Sequence, residues 1–408
     1  MKRQIYSEKS RESCLNFTAG TVDSLRIKNT SATTVRVYED GYIGVAGAAG
    51  NCDIGELEKK AVSSLENKVP YPCDKSEPAR RVCDCRKEII KKSEVVEKCA
   101  KLVKRISEEN PAFVFSGKFA ISDDEERFSD SDGVDYECVS SVVSAYFIGK
   151  HRDSANIMDE IYEISDDKFE PEKIAADAKK LFGAYLKKAE IPDGDKIVVI
   201  ADISVLSSLV RSFVAEMYFS GASILNGKLG QKVFNEKFSL YCDKDSSKGM
   251  GKIFFDGEGV VSKDDKVYFV ENGVMKNLLT TKKSAATFGV ENCGTAQSPY
   301  AETPAVGTRG LTVGAGDESV GELVRGEKAV YVSIASGGDM TPSGEIGIPV
   351  QSAYLYENGT LIGRVPEFTV SCNIFDMLGD DFVGASTKCV NEAGQCKYLV
   401  FRAKALKA

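Results

Sequence analysis

Ile191-Pro192-Asp193-Gly194-Asp195 runs through Lys196 into Ile197-Val198-Val199-Ile200, a turn-rich link followed by the pattern of a buried strand. Glycine usage changes at this point. Residues 51–190 hold five glycines, whereas residues 191–408 hold 26 of the 36. Glycine supplies the backbone freedom of tight turns, so the second half reads as strands and turns. The 408 residues allow two or three domains at about 150 residues each. The expectation is an α+β chain: residues 1–190 form an N-terminal α/β domain with a helical middle segment. Residues 191–408 then form a β-rich antiparallel C-terminal domain.

Upstream of the link, residues 11–50 alternate as strands do. Val35, Val37, Tyr42, Ile43 and Val45 flank Glu39-Asp40-Gly41, where Asp-Gly predicts a hairpin turn. Asp53 begins a helix with Ile54, Leu57, Ala61 and Leu65 on one face and Glu56 placed for a capping box. Residues 67–93 carry no readable pattern. Ser93 is expected to cap a helix whose stripe is Val95, Cys99, Leu102, Val103 and Ile106. Strands are expected at 112–121 and 136–148, and Pro171 opens a helix carrying Ile174, Ala178, Leu181, Phe182 and Tyr185. Downstream, a helix is predicted over 203–219, with Leu206, Leu209, Val210, Phe213 and Met217 on its apolar side. Val267–Gly273 and Ala353–Gly359 are alternating strands that both end in Asn-Gly, so they read as similar hairpins of one antiparallel assembly.

Sixty-one acidic against 53 basic residues leave a net charge of −8, which argues against direct nucleic-acid binding or an anionic lipid surface. Hydrophobic residues make up 42% and charged residues 28%, an ordinary globular balance. No apolar run approaches the roughly 18 residues of a spanning helix, and Met1–Glu8 lacks a signal-peptide core. A cytoplasmic chain away from the membrane is expected. The single histidine, His151, excludes a site with two His ligands from this chain. The twelve cysteines are scattered with no Cys-x-x-Cys, so they read as reduced, packed thiols.

Three local patterns read as structure rather than chemistry. His151 lies in Gly149-Lys150-His151-Arg152-Asp153, a charged strand end with no nucleophile motif beside it. Asp123-Asp124-Glu125-Glu126, with Asp130, Asp132, Asp135 and Glu137, lacks the EF-hand spacing and reads as a solvated loop and turn. Glycines 307, 310, 314, 316 and 321 miss both the Rossmann and the P-loop spacing and read as turns.

A set of co-linear stretches then stands out. They are Ser223-Ile224-Leu225-Asn226-Gly227-Lys228-Leu229-Gly230, Phe255-Asp256-Gly257-Glu258-Gly259 and Val270-Glu271-Asn272-Gly273. Gly337-Gly338, Ser343-Gly344, Glu357-Asn358-Gly359 and Ser371-Cys372-Asn373-Ile374-Phe375-Asp376-Met377-Leu378 follow, and Arg127–Gly133 precedes them. Together they resemble the TldD/PmbA (TldE) family, once labelled modulators of DNA gyrase and regarded as a paired metallopeptidase system.

The resemblance implies an N-terminal α/β domain, a helical middle part and a β-rich C-terminal domain. It also implies a zinc site in the catalytic member, built from His-Glu-x-x-x-His and a late cysteine. Counting back from Ser223 places Leu206, Ser207 and Arg211 at those positions, and Cys396 matches the late cysteine. An apolar side chain and a guanidinium do not bind Zn²⁺, so the chain resembles the non-catalytic PmbA/TldE partner. No catalytic residue, metal ligand or cofactor is expected in it; zinc is expected in a TldD-like partner subunit. The implied role is part of a heterodimer chamber that holds flexible peptides. A homodimeric binding or regulatory protein is the alternative. A further alternative is a thiol hydrolase using His151 with Cys138, Cys293, Cys372 or Cys396.

Overall fold

The computed structural model describes residues 1–388 and 391–407; Cys389, one of the cysteines read as a packed thiol, lies outside them. The first half is built on one eight-stranded sheet. Its strands are β1 (Lys2–Thr18), β2 (Thr21–Glu39), β3 (Tyr42–Ala49), β4 (Val69–Pro70), β5 (Ala79–Cys85), β6 (Phe113–Asp130), β7 (Val134–His151) and β8 (Glu160–Asp166). The order is β4-β3-β2-β1-β6-β7. β5 and β8 share the outer edge of β7, β5 parallel along residues 134–140 and β8 antiparallel along 143–149.

Two-residue turns fix this register. Asp40 and Gly41 take φ of 49° and 81°, the left-handed pair that suits the twist of adjoining strands. Ala19 and Gly20 do the same between β1 and β2, with φ of 50° and 76°. β1 therefore starts at Lys2, well before the alternation visible from residue 11.

Helices cover one face of the sheet. α1 (Ile54–Ser64) starts at Asp53, whose carboxylate accepts from the Gly55 and Glu56 amides at 2.7 and 3.1 Å. The cap is one-sided: the expected return bond from Glu56 is replaced by its ion pair with Lys59. Gly44 lets this helix approach, because a Cβ there would stand 2.0 Å from the Ala61 carbonyl oxygen. α2 (Val95–Glu109) buries Val95, Cys99, Leu102, Val103 and Ile106, the whole expected stripe. Ser93 does not cap it. A 3₁₀ turn, Lys92–Glu94, leads in instead, and Glu94 is the cap residue without a side-chain bond. α3 (Pro171–Tyr185) begins on Pro171 and buries Ile174, Ala178, Leu181 and Phe182.

The acidic run is a strand and not a loop. Asp123–Glu126 lie in β6, where Glu125 faces Lys9 and Asp123 faces Arg11 across the ladder. Cross-strand cations make the charged stretch compatible with pairing. The turn falls later, at Asp130, whose carboxylate takes the Asp132 and Val134 amides at 3.0 Å each.

The second half opens with β9 (Ile197–Asp202). A four-stranded sheet, in the order β12-β11-β10-β15, holds β10 (Leu240–Asp243), β11 (Lys266–Glu271), β12 (Val274–Met275) and β15 (Leu311–Val313), and β13 (Ala296–Gln297) pairs with β14 (Ala305–Val306). β16 (Ala329–Ala335), β18 (Glu345–Glu357), β20 (Phe368–Asn373) and β22 (Tyr398–Lys407) join β9 in a ring. The pairings β16–β9, β9–β22, β22–β20, β20–β18 and β18–β16 close it as a five-stranded barrel. β17 (Asp339–Met340), β19 (Thr360–Arg364) and β21 (Phe382–Ser386) attach at its margins. All the barrel contacts are antiparallel except β9–β16, which is parallel.

The two Asn-Gly hairpins both form, with φ near 50° at Asn272 and Asn358. They stand in different assemblies, however: one turns β11 into β12 in the four-stranded sheet, the other turns β18 into β19 on the barrel. One apolar cluster spans the halves, joining Phe113 and Phe182 to Val198, Tyr354 and Val400. Within it Glu160, fully buried at the start of β8, accepts from the hydroxyls of Ser333 and Ser352 at 2.8 and 2.5 Å and from Tyr354.

Candidate functional site

The segment after β9 is where the resemblance calls for zinc ligands. Asp202 ends the strand and caps the next turn, accepting from the Ser204 amide at 2.7 Å. A single helix over 203–219 does not follow. The chain runs through a 3₁₀ turn (Ile203–Leu206), α4 (Ser207–Val210), a second 3₁₀ turn (Arg211–Phe213), an extended Val214 and α5 (Ala215–Phe219). Val214, at φ −63° and ψ 126°, pairs alongside Leu279. The Leu279 amide donates to Phe213 at 2.7 Å, and Ala215 donates to the Leu279 carbonyl at 3.1 Å. A β-branched residue with a strand partner leaves the helix.

Leu206 is fully buried in the barrel-side core, while Ser207 and Arg211 are exposed. Arg211 forms no ion pair with any described residue. Cys396 comes from the far end of the chain. Tyr398 pairs with Asp202 across β22 and β9, so Cys396, two residues earlier, lies just past the end of β9. The loop is held from α3. Asp177, buried on that helix, accepts from the Glu392 and Ala393 amides at 2.7 and 2.8 Å. Crowding around the thiol and the Asp202 carboxylate push Cys396 up from its ordinary pKa, although the residue is exposed by surface area. Leu206 and Arg211 thus point into different surroundings, and only Cys396 among the four offers a soft donor. Among the described residues no group of three His, Cys, Asp or Glu side chains is placed to hold a metal ion. The donor set does not fit zinc.

His151 and Cys138 stand far apart on one strand. His151 ends β7 and packs edge-on against Phe113, ring centroids 5.6 Å apart, and its Nδ1 accepts from the Asp153 amide at 3.3 Å. Cys138 is on the same strand, roughly 40 Å away by extended rise. Burial pushes Cys138, Cys293 and Cys372 up to about 12, which keeps each as the unreactive thiol.

A second constellation was not read from the sequence. Phe255-Asp256-Gly257-Glu258-Gly259 forms the joint between the halves. Asp256 accepts from the Glu258 and Val260 amides at 2.8 Å and from Ala296 at 3.0 Å. Arg36, 1% exposed on β2, donates to the Gly257 carbonyl at 2.6 Å and to the Ser298 hydroxyl. Glu258, also 1% exposed, accepts from Tyr71 at 2.5 Å and from the Lys282 amide, at the start of α6 (Lys282–Phe288), at 2.8 Å. Burial first, and Asp256 second, raise Glu258 to about 7. Beside this joint a cavity of about 340 Å³ is lined by Tyr6, Lys244, Asp256, Thr308 and Arg309 among others. Arg36 carries the one sequence signal that was available: a cation alternating with Val35 and Val37 in a strand buried on both faces. Lys244 and Arg309 carry none.

The PmbA/TldA metallopeptidase C-terminal domain matches residues 195–402. An uncharacterized protein of Methanocaldococcus jannaschii is 27% identical over 387 residues, covering 90% of this chain and 88% of that relative. A metalloprotease of Archaeoglobus fulgidus is 24% identical over 387 residues, covering 91% and 88%. The fold is similar to that of TldE from Thermococcus kodakarensis, with a TM-score of 0.82 at 18% identity over 100% of this chain and 97% of that one.

Proposed function

Because the chain belongs to the TldD/PmbA metallopeptidase family, we propose that it is the non-catalytic subunit of a paired zinc peptidase. The observation that carries this is Leu206: where the resemblance calls for the first imidazole, an aliphatic side chain is sealed in the core. Replacing Arg211 alone would not restore a site, since its neighbour in the motif has no donor atom and faces inward. The zinc and its activated water then belong to a TldD-like partner, and this chain contributes wall and grip to a chamber for flexible peptides.

Support for the grip comes from β2. Only its residues 32–39 pair with β3, so residues 22–30 are bonded to β1 on one side and have no strand partner on the other among the described residues. Leu25 and Ile27, 47% and 66% exposed, stand on that edge. An extended peptide can add there through main-chain bonds, which accept many sequences. No helix among the described residues is long and apolar enough to cross a membrane.

The test is affinity capture of the tagged chain from its native extract, with bound proteins identified by mass spectrometry. The expected result is a near-stoichiometric partner carrying His-Glu-x-x-x-His. Recovery of the chain alone, eluting as a homomer, overturns the reading in favour of a homomeric binding protein.

A further inference from the structure

One face of β5 is part of the joint between the halves. Arg81, Cys83 and Cys85 alternate with the exposed Val82 and Asp84, so the three share the face turned to the second half. Arg81 holds Asp265 through both terminal nitrogens, at 2.8 and 2.5 Å, and lies over the Phe254 ring, 4.0 Å from its centre. Cys83 packs against the cluster of Phe128, Phe254 and Phe255. The Cys85 thiol donates to the Ser246 carbonyl at 3.2 Å, in the short turn Ser246–Lys248. Between these two cysteines the Sγ atoms stand 3.6 Å apart.

A disulfide needs its sulfurs at roughly 2.05 Å and its Cα atoms no more than roughly 6.8 Å apart. Alternate residues of a strand have Cα atoms roughly 6.4–6.8 Å apart, so the pair stands at the long end of that range with its sulfurs already touching. Closing the bond draws the two Cα atoms together. β5 can yield to this, because β7 is its one strand partner among the described residues. Both thiols are half-buried, within reach of a small reagent. The competing partner is Cys138, which faces Cys83 across the ladder. It is 4% exposed, and burial pushes its thiol up to about 12, so it is screened and stays protonated.

We propose that Cys83 and Cys85 are a dithiol switch of the joint, closed to a disulfide within β5 by a small disulfide of the glutathione type. One thiolate of the pair attacks a sulfur of the small disulfide, which expels a small thiolate and leaves a mixed disulfide on the protein. The other protein thiolate attacks the protein sulfur of that link and expels the second small thiolate. Two protein S–H groups thus become one S–S bond, and the reagent is reduced to two thiols, which take up the two protons. A small thiol in excess runs the exchange backwards. Closure takes the donor from the Ser246 carbonyl, so the oxidised joint is looser at the 246–248 turn. The pair shares no residue with the positions matching the family's metal ligands, and the proposal stands whether or not a catalytic partner is found.

The test exposes the full folded chain to oxidised glutathione, quenches it with a thiol-alkylating reagent and reads the tryptic peptides by mass spectrometry. Cleavage after Arg81 and Arg86 releases Val82–Arg86 with both cysteines in it. The expected result is this peptide two hydrogens lighter and free of alkyl groups, restored to the dialkylated form by prior treatment with dithiothreitol. Burial, with Cys83 beside it, raises Cys85 above its ordinary pKa, so closure should quicken as pH rises through the alkaline range. Cys85→Ser should stop at a glutathione adduct on Cys83, whereas Cys138→Ser should close as the parent does. Hydrogen exchange over residues 246–249 should speed up about threefold or more in the closed form. Dialkylated Val82–Arg86 after oxidation overturns the proposal, as does a Cys83–Cys138 link in its place or unchanged exchange over 246–249.

Discussion

Glu258 offers a stability measurement that isolates one buried proton. In the folded chain its pKa stands near 7, against an ordinary value of 4.5. Below pH 4.5 the carboxyl is protonated whether the chain is folded or not, and the group's full stabilising contribution is present. As pH rises from 4.5 towards 7 the unfolded chain releases the proton and the folded chain keeps it. Stability therefore falls through that window and levels off above it. At 1.36 kcal/mol per pH unit the loss amounts to roughly 3 kcal/mol. Glu258→Gln preserves the geometry of the neutral acid, since the amide oxygen can take the Lys282 N–H and the NH₂ can face Tyr71. The variant has no proton to lose, so the other titrating groups cancel in the comparison. For 408 residues the unfolding entropy is about 0.9 kcal/mol per kelvin. The melting temperature of Glu258→Gln, measured against the parent from pH 4.5 to 8, should accordingly rise by roughly 3 to 4 °C relative to it. A difference that stays flat across the range would refute the argument and place the charge elsewhere in the joint.

Other changes have definite expectations. Glu160→Ala strands the buried hydroxyls of Ser352 and Tyr354 and the half-buried one of Ser333 between the two halves, and urea midpoints should show a loss of about 3 kcal/mol, with Glu160→Gln recovering part of it. Asp177→Ala frees the two amides that pin the loop before β22, so labelling of Cys396 by a disulfide reagent should speed up severalfold while Cys138 and Cys372 stay slow. Leu206→Ala should cost about 2–5 kcal/mol as a cavity in the core, whereas Arg211→Ala should stay within about 0.5 kcal/mol and leave peptidase activity of the captured complex unchanged. Loss of that activity with the complex still assembled would contradict the catalytic silence of Arg211.

What could be read in advance followed local rules. The α2 stripe was legible because burial repeats with the helical period and nothing else competes for Val95–Ile106. Both Asn-Gly turns were legible because left-handed φ at consecutive residues strongly selects those side chains. The turn at Ala19-Gly20 escaped since alanine gives no such sign, and with it went the true start of β1. The helix predicted over 203–219 failed for a non-local reason: Phe213 and Ala215, on either side of Val214, bond to Leu279, more than sixty residues on, and that pairing outweighs helical periodicity. The acidic run failed likewise, because Lys9 and Arg11 that neutralise it lie on another strand. The positions matching the metal site could be named from the spacing of motifs. The cavity could not, because Tyr6, Lys244 and Arg309 converge only after the halves have docked.

The barrel has a kinetic corollary. β9 ends at residue 202, but one of its two ladder partners is β22, which begins at Tyr398. During synthesis β9 can pair with β16 well before β22 exists, so its other edge waits with open amides and carbonyls until almost two hundred further residues have emerged. β20 waits in the same way for the same strand. Ring closure over so long a separation is slow, and unpaired edges invite pairing with neighbouring chains. Refolding should therefore show its slowest phase, and its greatest sensitivity to protein concentration, at the step that inserts β22. A nascent chain halted before Tyr398 is the form most in need of a chaperone.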